Sequence, residues 1–79
     1  MSRYQVTVKR SQAHVIEQTK KFFDGRIPLV DEAPCCLRFE GGGGFVQVTV
    51  TELDPKKTDV RVEEMQWEYD AKKLIQMLS

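Results

Sequence analysis

Gly44 to Leu53 (GFVQVTVTEL) constrains the fold more than any other stretch. Val46, Val48 and Val50 alternate with Gln47, Thr49 and Thr51. A period of two, carried by β-branched residues, predicts a half-buried antiparallel strand. One face of such a strand meets a core and the other is polar, so the chain needs neighbouring strands and a covering layer.

Other segments supply both. Tyr4, Val6 and Val8 alternate with Gln5, Thr7 and Lys9, which predicts a first strand. Ser11 is placed to cap a helix running to about Phe23, with Val15, Ile16, Thr19, Phe22 and Phe23 forming an apolar stripe and Gly25 ending it. Arg26 to Val30 is short and holds Pro28, so it reads as an edge strand or an extended connection, followed by a turn over Asp31 to Pro34. Cys35, Leu37 and Phe39 alternate inward, and Gly41, Gly42, Gly43 and Gly44 form a flexible hairpin loop into the central strand. After a turn at Asp54 to Thr58, Val60 and Val62 point inward. The apolar parity then shifts to Met65, Trp67 and Tyr69, which predicts a bulge near Glu63-Glu64. Asp70 is the expected cap of a last helix with Ala71, Leu74, Ile75 and Leu78 on one face.

The order is β-α-β(4)-α, and residues 1–79 read as a single domain of the α+β class. Two layers are expected: a mostly antiparallel sheet with both helices on one face. This order, the run Phe39 to Val50 and the passage from Val60 through Trp67 to the last helix resemble the TATA-binding-protein-like fold class, which includes the helix-grip, Bet v 1 and START-type domains. The resemblance covers element order over most of the chain, which is shorter than a full helix-grip domain by two strands and a helix. It implies a sheet gripped by a C-terminal helix, with ligands held between them.

Composition narrows the functions. The 12 basic and 12 acidic residues cancel, so the basic excess of a nucleic-acid binder is missing. Residues 1–26 carry six basic and two acidic groups and the rest six basic and ten acidic, which hints at a dipole. No apolar run approaches a membrane span, and the N-terminus lacks the apolar core of a signal peptide. The adjacent Cys35 and Cys36 make a poor staple, so reduced thiols in a cytoplasmic protein are expected, with Cys35 in the core and Cys36 the exposed, reactive one. His14 lies off the apolar stripe of the first helix, the sequence offers no serine or cysteine in a recognisable nucleophile setting for it, and no four-ligand metal spacing occurs. The glycine loop lacks the Lys-Ser/Thr ending and following helix of a phosphate loop.

These features predict a binding or interaction module without catalysis, metal or cofactor. It is expected to self-associate through an open sheet face or edge, with Arg38, Gln47, Thr49 and Arg61 as the partner-facing residues and the glycine loop adapting beside them. The alternative is a carrier of a small apolar ligand walled by Phe22, Phe39, Trp67, Leu74 and Leu78.

Overall fold

The structure is a computed structural model describing residues 1–79. Five strands form one antiparallel sheet: β1 (Ser2–Val8), β2 (Leu29–Ala33), β3 (Cys36–Gly41), β4 (Gly44–Asp54) and β5 (Lys57–Met65). Their spatial order is β1-β5-β4-β3-β2. Helices α1 (Gln12–Phe23) and α2 (Glu68–Leu78) pack on it. The fold is therefore the α+β, β-α-β(4)-α arrangement that the alternating segments require.

Alternation decides which side chains form the core. Val46, Val48, Val50, Val60, Val62 and Leu37 are all 1% exposed or less, and Phe39 is 2% exposed. They meet Val15 and Phe23 of α1 and Ala71, Leu74 and Leu78 of α2 in one cluster. Burying a side chain of this size contributes about 1.5–3 kcal/mol relative to leaving it in water. Thr19 is also fully buried, its hydroxyl satisfied by donating to the Val15 carbonyl at 2.8 Å. Ser11 caps α1 by accepting from the His14 amide, and Gly25 leaves the helix at φ 78°.

Four local expectations change. The Arg26–Val30 segment does yield an edge strand, but it lies at Leu29–Ala33, so the turn tightens to Pro34-Cys35. No bulge occurs near Glu63-Glu64: β5 stays in register from Thr58 to Met65 against β4, and Glu64 keeps the inward parity of Val60 and Val62. The apolar parity shifts because the chain leaves the sheet at Gln66, where φ is 72°. Helix α2 starts at Glu68, with Trp67 at the cap position, so Asp70 lies in its first turn. Cys35 is exposed in the turn, and the structure joins it to Cys36 in a disulfide, which corrects both the buried Cys35 and the free thiol of Cys36.

Candidate functional site

The outward-facing residues of the sheet form rows set by strand register. One row runs Arg3, Glu63, Gln47, Arg38 and Asp31 across β1-β5-β4-β3-β2; the next runs Gln5, Arg61, Thr49, Cys36 and Ala33. Arg38, Gln47, Thr49 and Arg61 thus occupy adjoining positions at the centre of one face. Arg38 and Gln47 are cross-strand partners, as are Thr49 and Arg61.

Their charges are matched within the face. The Arg38 guanidinium donates through Nε to Glu40 Oε2 at 2.7 Å and through Nη1 to Gln47 Oε1 at 3.1 Å. It also lies over the Phe45 ring, 4.5 Å from the centroid. Arg61 Nε donates to Asp59 Oδ2 at 3.0 Å, and Gln5 Nε2 donates to the other oxygen at 2.7 Å. Asp59 is thereby only 7% exposed although its strand position points outward. Arg3 and Glu63 close the row at 3.6 Å. The result is a polar platform with its donors and acceptors paired in the plane, not a field of one sign. Alternation places Glu40 and Phe45 on this face, but the contacts they make with Arg38, like those of Asp59 with Gln5 and Arg61, come only from the folded geometry.

The two sheet edges differ. Strand β2 is five residues long, follows Pro28, shifts register between Leu29 and Asp31 and carries Asp31 and Glu32, the latter paired to Lys20 of α1. Bulges, charge and shortness are what blunt an edge. Strand β1 is longer and regular, and its one charge, Arg3, is paired within the sheet to Glu63. Its seven residues pair with β5 without a register shift, and its other edge is free. Tyr4 and Val6 are only half-buried there, and a shallow cleft of about 410 Å³ beside them is lined by Tyr4, Tyr69, Lys72 and Ile75, among others. Lys72 donates to Glu68 Oε1 at 3.0 Å, which raises its amine above the ordinary value.

The four glycines make a two-residue turn, with φ 58° at Gly42 and 80° at Gly43. Glycine alone adopts these angles without steric cost. The turn is tied down: Trp67 Nε1 donates to the Gly41 carbonyl at 2.9 Å, and its ring lies against Gly42. Tyr69 is apart from this contact and 69% exposed.

The five carrier walls do not enclose one space. Phe39, Leu74 and Leu78 are buried core residues. Phe22 packs edge-on to Phe23, with ring centroids 5.0 Å apart, while Trp67 covers the glycine turn. A cleft of about 550 Å³ lies between the end of α1 and β2, and Phe39 is the one predicted wall among its lining residues. His14 is exposed on α1. No three His, Cys, Asp or Glu side chains converge on a metal-sized site, and no helix is long and apolar enough to cross a membrane.

The chain matches no protein-family model and no curated protein.

Proposed function

We propose that this chain is a small interaction module that pairs with a second copy of itself through the free edge of β1. The observation that carries this reading is the contrast between the two edges: β2 is short and shifts register, whereas β1 is longer and pairs without a shift. A regular unpaired strand presents a row of N–H and C=O groups that a second strand satisfies. An antiparallel copy centred on Gln5 pairs the whole of Ser2–Val8, with residue numbers summing to ten. Tyr4 then faces Val6 of the second copy on the helix side, an aromatic–β-branched pair of the favourable kind. Arg3 faces Thr7 on the outer side, so no like charges oppose each other. The two polar platforms become one ten-stranded face, and Arg38, Gln47, Thr49 and Arg61 of both copies lie on it, available to a further macromolecular partner.

Thr7→Arg tests the register. Thr7 is exposed, so the fold should survive, but the introduced guanidinium would oppose Arg3 of the other copy, twice in each dimer. Light scattering coupled to size-exclusion chromatography should show a dimer for the parent chain and for Thr49→Lys, and a monomer for Thr7→Arg. Dissociation by Thr49→Lys instead would move the interface to the open face. A parent chain that stays monomeric at hundreds of micromolar would sink the proposal.

A further inference from the structure

We propose that Cys35-Cys36 is a reactive dithiol–disulfide site, opened by a small dithiol reductant and, once open, able to chelate a trivalent arsenical. The pair lies at the β2–β3 turn, with Cys35 exposed and Cys36 half-buried on the outer sheet face. The chain has no other cysteine.

Three observations carry this. A bond between neighbours closes a ring with no intervening residue, so it removes almost no loop-closure entropy from the unfolded chain. Its contribution is therefore chemical and local, not that of a staple. Cys35 is open to solvent, and exchange needs a thiolate to reach a sulfur. The turn is also anchored on both sides. The Cys35 carbonyl accepts from the Val50 amide at 2.7 Å, and Cys36 begins a strand in register with Thr49. The two sulfurs thus remain neighbours on a fixed backbone after the bond opens.

The chemistry balances. A thiolate of the reductant attacks one Sγ and displaces the other as thiolate, giving a mixed disulfide. The second thiol of the reductant then displaces the protein sulfur and leaves as a cyclic disulfide. The protein gains two electrons and two protons. The open dithiol condenses with an arsenoxide to form two As–S bonds and release one water, with no change of oxidation state. Soft thiolates suit such a centre.

The test uses the full chain and three probes: diamide as oxidant, dithiothreitol as reductant and phenylarsine oxide as ligand. After diamide, intact-mass spectrometry should show a monomer that takes up no iodoacetamide. After dithiothreitol it should gain two hydrogens and accept two alkyl groups. One phenylarsine oxide per reduced chain should block both alkylations. Cys36→Ser should still fold by circular dichroism, accept one alkyl group without reductant and retain no arsenical at the same concentration. Disulfide-linked dimers after diamide, or a reduced folded chain that fails to bind one arsenical, would overturn the proposal. A large fall in melting temperature on reduction would overturn it too, because the bond would then be a staple.

Discussion

At the scale of single residues, Gly43 and Gly44 are neighbours held for different reasons. Gly43 has φ 80° with open space where a Cβ would stand, so its requirement is conformational. Gly44 has no such angle, but a Cβ there would collide with the Met65 carbonyl oxygen and crowd Gln66. A backbone atom of a paired strand cannot yield as a side-chain tip can. Gly43→Ala should therefore cost about 1–2 kcal/mol, the left-handed penalty. Gly44→Ala should cost more, up to about 3 kcal/mol from overpacking, with distortion of the β4–β5 ladder. Urea unfolding midpoints check the order, and equal costs would mean that strand β5 gives way. The glycine run is plain in the sequence; its contacts are not. Met65 and Trp67 lie more than 20 residues further along the chain, and only the folded hairpin brings them to the turn.

Among the elements, α2 shows both the reach and the limit of reading by pattern. Its buried stripe of Ala71, Leu74 and Leu78 follows directly from helical spacing. Its start does not, because the usual signal, a small polar residue at the cap, is absent. Trp67 occupies the cap and makes no side-chain cap bond. The cap comes from the preceding strand: Glu64, 3% exposed, accepts from the Trp67 amide at 3.0 Å. A strand carboxylate thus satisfies an orphan helix donor, and local propensity rules do not look for it there. The same burial explains the missing bulge, since Glu64 keeps its inward position by serving the helix. Glu64→Gln keeps an acceptor of the same shape and should cost little. Glu64→Ala leaves a buried amide unpaired and should cost about 1–3 kcal/mol. Thermal melts of the two variants separate the roles, and matching losses would show that charge matters at this end and the hydrogen bond does not. The strand assignments succeed where one face is buried, because alternation then has only one register. They slip at β2, whose five residues are all exposed and carry no such signal.

For the whole molecule, ion pairs tie the basic first part of the chain to the acidic remainder. Arg3 pairs with Glu63, Lys20 with Glu32 and Arg26 with Asp70, each joining a base from the first 26 residues to an acid from the remainder. Folding thus brings half of the six early bases against acids from later in the chain. The first two pairs are exposed on both sides, where each is worth about 0–1 kcal/mol and is screened by salt. The β1 pairing proposed above adds no facing charges and rests on backbone hydrogen bonds with Tyr4 against Val6. The dimer dissociation constant should therefore change by less than about tenfold, or ~1.4 kcal/mol, between 50 and 500 mM NaCl. Sedimentation equilibrium at the two salt concentrations measures this. Contact with a polyanion behaves otherwise, because neutralising several phosphates releases counterions and makes affinity fall steeply with salt. A steep salt dependence of self-association would place Arg3 and the other cations at the interface opposite acidic groups, and would exclude the register centred on Gln5.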